Sequence, residues 1–166
     1  MEAARGDAGL TLLERFNDTQ YKLLDTIRHK EASEVARREG TAGDFSSLRG
    51  HRHALIVTFK RSGEPVPTPV NFGLDDEGRV YFRSERRVPK IRRIQNDPRV
   101  RVCGCNFRGK PTGPVVEGRA RVLPRDEERR AYDALEANWG LGSKPYEKLA
   151  DRYLEWHGAY VEVAPA

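Results

Sequence analysis

ALIVTFKRSGEPVPTPVNF, running from Ala54 to Phe72, decides the fold. Its first half is a short apolar run that stops at Arg61-Ser62-Gly63-Glu64, a hairpin turn flanked by two strand-like segments. Its second half opens a strand, Val66 to Gly73, that carries alternating prolines, Pro65 at its start and Pro67 and Pro69 within it. Proline removes a ladder donor, and residues two apart in a strand point the same way. One edge of this strand therefore lacks its donors, and a flat ligand can lie against it instead of a neighbouring strand.

Working outward, Asp75-Asp76-Glu77-Gly78 turns into a third strand, Arg79 to Ser84, with Val80 and Phe82 on one face. Arg86 to Asn96 is a short basic helix. Val88, Ile91 and Ile94 give it one apolar stripe, Pro89 suits its first turn, and Asn96-Asp97-Pro98 stops it. Alternation marks two further strands, Arg99–Cys105 and Val115–Leu123, and a last one spans Gly158–Val163. The acidic start Asp126-Glu127-Glu128 favours a helix over 126–139, and Tyr146 to Tyr153 is a second helical segment. Upstream, Asp44 or Ser46 can cap a short helix from Phe45 to Gly50. Thr11 to Arg38 carries Leu12, Leu13, Phe16, Leu23, Leu24 and Ile27 at helical spacing, and Gly40 and Gly43 end it. We therefore expect an N-terminal helical extension, residues 1–43, ahead of one domain, residues 44–166. Six short strands without regular crossover helices indicate a small antiparallel or mixed barrel rather than a doubly wound sheet.

The 166 residues suffice for one core. No apolar run reaches membrane-spanning length, and the polar N-terminus does not read as a secretory signal. Two cysteines in Cys103-Gly104-Cys105 make no disulfide framework, so a reduced, cytoplasmic protein is expected. Charge is uneven: residues 79–125 hold fourteen Lys and Arg against three Asp and Glu, a net of +11 in a chain of net +5. Such a block calls for an anionic partner.

Several motifs fail on inspection. Gly104-x-x-x-x-Gly109-Lys110 nearly spells a phosphate loop, but Pro111 stands where a magnesium-binding hydroxyl belongs. The cysteine pair and His29, His51, His53 and His157 supply no metal-ligand spacing, so no metal is expected. His51-Arg52-His53 reads as a surface corner rather than a catalytic dyad. No Gly-x-Ser-x-Gly elbow is present, and no catalytic side chain can be named. Arg79-Val80-Tyr81-Phe82-Arg83 mixes aromatic and basic residues, yet Phe82 alternates inward, which argues against nucleic acid. The strongest cluster is Arg83-Ser84 followed by Lys90 on the basic helix. A strand end, a hydroxyl, a helix start and two cations are the means of holding one phosphate.

These residues resemble a known family. Ala54–Phe72 is similar to the opening of the pyridoxamine 5'-phosphate oxidase-like, FMN-binding split β-barrel superfamily. Arg83-Ser84 through Lys90 to Val100 resembles its phosphate-binding strand and helix. Arg108–Pro114 with Val116–Ala120 is similar to the branch that uses the deazaflavin coenzyme F420. The resemblance spans about residues 45–163. It implies an α+β, mainly β fold: a six-stranded split barrel with flanking helices, assembled as a homodimer around its cofactor. By the same resemblance Val66, Pro67, Thr68, Pro69 and Asn71 lie along the cofactor ring. Arg83, Ser84 and Lys90 hold the phosphate, and Arg108 and Lys110 face the acidic tail or the substrate. The implied activity is hydride transfer between F420 and an unsaturated C=C or C=N substrate, with Tyr146, Tyr132 or solvent as proton donor. FMN on the same fold, or non-catalytic haem or tetrapyrrole binding through His51 or His53, are the alternatives.

Overall fold

A computed structural model describes residues 30–139 and 157–166. The expected helix over Thr11–Arg38 enters this range only at α1, Lys30–Ala36, and the one over Tyr146–Tyr153 lies outside it. Every alternating stretch is a strand. These are β1 (His53–Phe59), β2 (Pro65–Leu74), β3 (Val80–Glu85), β4 (Arg99–Cys105), β5 (Val116–Val122) and β6 (Gly158–Pro165). The basic segment is α2 (Pro89–Asn96), and the acidic-started segment is α3 (Glu128–Trp139), entered through a tight turn at Arg125–Glu127. The segment after Asp44 is a single tight turn, Ser46–Leu48. The cap residue of that turn is Phe45, with no side-chain cap, while the Asp44 carboxylate just before it accepts the Ser46 amide at 2.8 Å.

The strands close into an antiparallel barrel in the order β1-β2-β3-β6-β5-β4. Period-two alternation sends Ala54, Ile56, Phe72, Val80, Phe82 and Val161 into one core. Ile91 and Ile94 from α2 and Phe45 and Leu48 from the tight turn join it. β1 is buried on both faces because α1 lays Ala32 and Val35 over Leu55, Cys103 and Cys105. The cysteines are thus small packing residues. Burial, then the neighbouring Cys103, pushes the Cys105 thiol up to about 12.

Helix α3 covers the outer side of β3, packing Ala131 and Ala134 on Tyr81 and Leu123. Gly73 permits the close approach: a Cβ there would run into the backbone of Ala134. Beneath α3 the charges interlock. The Tyr81 hydroxyl lies 2.9 Å from Asp75 and 3.0 Å from Glu162. Arg121 donates to Glu162 at 2.7 Å and to Glu127 at 2.6 Å, and Arg130 binds Glu127. Burial alone would raise the Glu162 carboxyl, but hydrogen bonds from Arg121 and Tyr81 hold it below the usual carboxylate range.

Candidate functional site: a wedge between β2 and β3

The proline strand behaves as its sequence requires. β2 pairs with β1 from Pro65 to Asn71, but with β3 only at Phe72, Gly73 and Leu74. β3 continues along β6 to Glu85. The two neighbours thus part after Phe72, leaving a wedge between β2 residues 65–71 and β3 residues 83–85. In an antiparallel pair alternate residues turn both backbone groups away from the partner. The Val66 carbonyl faces β1, where it meets the Thr58 hydroxyl at 3.5 Å. Even-numbered residues therefore serve the β1 ladder, and Pro65, Pro67 and Pro69 turn their carbonyls to the wedge. With no N–H beside them, this edge offers acceptors alone at those three residues. It suits a planar ring that carries donors.

Lys90 stands in the first turn of α2, 7% exposed, with Nζ 5.2 Å from the centroid of the Phe82 ring. A buried ammonium needs compensation, and the ring face supplies part of it. Ser84, also buried, follows Phe82 by two and shares its face. Strand alternation sets Arg83 on the other face, with Tyr81. Lys90 and Ser84 therefore lie together, while Arg83 stands across the strand from them.

Val66 and Thr68 point opposite to the prolines along β2, whereas Asn71 shares the prolines' face and is exposed beside the corner at His53. Arg108 and Lys110 sit in a tight loop organised by the Asn106 side chain, which accepts both of their amides, at 2.9 and 3.0 Å. Gly109, at φ 77°, turns this loop inward, so that a Cβ there would sit 3.6 Å from Pro69. The loop is thus brought to the proline strand, and Lys110 also pairs with Glu31 of α1 at 3.8 Å.

One group escaped the reading from sequence. Arg93, one helical turn after Lys90, donates from Nε to the Thr58 hydroxyl at 2.7 Å. Lys90 packs on β3 and Arg93 reaches β1, so α2 spans these two strands. The i, i+3 spacing of the two cations was the available signal.

The other candidates fall elsewhere. His51 Nε2 hydrogen-bonds with Thr112 Oγ1 at 3.0 Å, and His53 packs edge-on against Trp139 at 5.1 Å. Both lie on the β1 side of β2, across that strand from the wedge. Tyr132 lies on α3 under Arg129, and Tyr146 is outside the described residues. No group of three or more potential metal ligands occurs among the described residues, and no helix there is long and apolar enough to cross a membrane.

The family model for pyridoxamine 5'-phosphate oxidase matches residues 45–162. No curated protein matches the chain. Among solved structures, an Agrobacterium tumefaciens protein of unknown function is 26% identical, with a TM-score of 0.56 over 82% of this chain and 55% of that one. The present sequence thus spans about half the length of that relative. The haem storage protein HutZ from Vibrio cholerae is 12% identical, TM-score 0.55, over 75% of this chain and 92% of that one. A haem-binding protein from Mycobacterium smegmatis is 17% identical, TM-score 0.52, over 82% and 51%. At these identities the last two show a shared fold.

Proposed function

Because the chain belongs to the pyridoxamine 5'-phosphate oxidase family, we propose that it is an oxidoreductase whose wedge holds coenzyme F420, acting on an unsaturated small organic molecule. One observation supports this reading: β2 pairs with β3 only at Phe72, Gly73 and Leu74, which leaves its proline edge without a neighbouring strand. Flavins and deazaflavins share a planar ring with an imide N–H at one end and a phosphate on the side chain. Pro65, Pro67 and Pro69 would accept from the ring, and Lys90 with Ser84 would receive the phosphate. The Arg108–Lys110 loop favours F420 over FMN, because F420 adds a carboxylate-bearing tail that needs further cations. When bound, the deazaflavin supplies a hydride to a C=C or C=N bond. The chain's part is to fix the ring and exclude water from it. We further propose a homodimer, in which a second subunit covers the open side of the wedge.

Parallel fluorescence titration of the purified protein with F420 and with FMN tests the reading. Tight F420 binding with weak FMN binding is expected. Preference for FMN moves the assignment to a flavin enzyme on the same wedge. Binding of neither overturns it. Haem binding has less support, since His51 and His53 both lie across β2 from the wedge.

A further inference from the structure

The outer wall formed by β1, β4 and β5 breaks a rule that the rest of the barrel keeps. In the β4–β5 register Arg101 faces Glu117, an ordinary opposite-charge pair, but Arg99 faces Arg119 directly. Like charges in that position repel. Arg99 turns away to clamp Asp97, with contacts of 2.7 to 3.2 Å. Arg119 is exposed and makes no hydrogen bond or ion pair among the described residues. The conflict is not relieved from within.

A second observation lies beside it. Arg101 is largely buried, its side chain 18% exposed. Its Nη1 donates to the Ala36 carbonyl at the end of α1, at 3.1 Å. Its Nε is buried with no hydrogen-bond partner, because Glu117 stops at 3.6 Å. Orphaned donors on buried guanidinium groups are rare, since water is no longer there to satisfy them. Both misfits border the same space, a cavity of about 410 Å³ lined by Phe59, Arg99, Arg101, Glu117 and Arg119. Its size lies in the range of small-molecule sites. The Phe59 ring already carries the guanidinium groups of Arg99, at 5.7 Å, and Arg101, at 5.2 Å. A smaller cavity of about 320 Å³ adjoins it and adds Lys60 and Arg61 to the rim.

We propose that this groove binds a small oxyanion, the phosphate or carboxylate of a small molecule, at a site separate from the wedge. An anion between Arg119 and Arg101 would offset the like-charge pair and accept from the orphaned Nε in one step. Through Arg101 it would also touch the last carbonyl of α1, so occupancy and the seating of that helix are linked.

The test is calorimetric titration of the full chain with inorganic phosphate and, separately, with citrate, at ionic strength matched with chloride. Because the wedge is itself proposed to hold a phosphate, each titration is repeated in a Lys90→Met background. Saturable binding that survives Lys90→Met is expected. It should weaken at least fivefold in Arg119→Ala and tighten in Glu117→Gln, which removes the competing carboxylate. A structural disturbance would not produce that gain. Response to phosphate alone assigns a phosphate-bearing ligand, and response to citrate alone a carboxylate. No saturable binding of either anion, or loss with Lys90→Met but not with Arg119→Ala, overturns the proposal, and the second leaves the wedge reading standing.

Discussion

Two outer walls of the same barrel treat charge in opposite ways. Under α3, Tyr81, Asp75, Glu162, Arg121, Arg130 and Glu127 close on one another. On the β4–β5 wall two arginines face each other and a third keeps an orphaned donor. The wedge belongs with the second wall, since its proline edge shows acceptors without donors. Interlocked charge acts within the protein to hold α3 on the sheet. Unbalanced charge looks outward to a ligand. Changes to the first wall should therefore cost stability, and changes to the second should cost binding.

The largest effect is expected from Gly73→Ala, which drives a methyl into the backbone of Ala134 and lifts α3. We expect a loss of about 3 kcal/mol in urea unfolding, the upper part of the overpacking range. An unchanged midpoint would mean that α3 is not seated by this contact. Next comes Lys90→Met, which should weaken cofactor binding by about 2 kcal/mol, roughly thirtyfold, with a smaller effect on the unfolding midpoint. A midpoint that falls with the affinity would move Lys90 to the structural side of the comparison.

Glu162→Gln should cost about 1.5 kcal/mol, because Arg121 and Tyr81 keep a weaker acceptor and Arg121 is half exposed to screening solvent. The same residue sets a pH signature. Folded Glu162 and Asp75 both lie below the usual carboxylate range. Their stabilisation is present above the unfolded carboxylate values and is lost as pH falls through the folded ones. The urea midpoint should therefore drop on acidification, and less steeply in Glu162→Gln. Parallel slopes would show that Glu162 carries none of the dependence. The smallest effect is expected from Arg119→Glu, which turns a like-charge cross-strand pair into an attractive one. A slight rise of the midpoint in phosphate-free buffer, with the phosphate response gone, would sharpen the contrast. A fall would mean that Arg119 serves the fold.

What was legible in the sequence depended on how local its cause was. Alternation at Arg99–Cys105 and Val116–Val122, the stripe Ile91–Ile94 and the prolines of β2 each act over a few residues, and each is in place. The parting of β2 from β3 was readable because a missing N–H is a property of one residue. Bonds across long separations were not: Tyr81 meets Glu162, and Arg93 meets Thr58, only once the barrel closes. The Arg99–Arg119 confrontation is of the same kind. In the sequence both sit in one basic block, and only the register of β4 on β5 makes them neighbours.

The prolines of β2 have a further consequence. An unpaired strand edge invites a strand from another molecule to dock on it, and sheets then grow from chain to chain. Pro65, Pro67 and Pro69 deny such a visitor every donor it would need over half of β2. The barrel can thus keep a slot open, with nothing in it, without becoming a seed for aggregation.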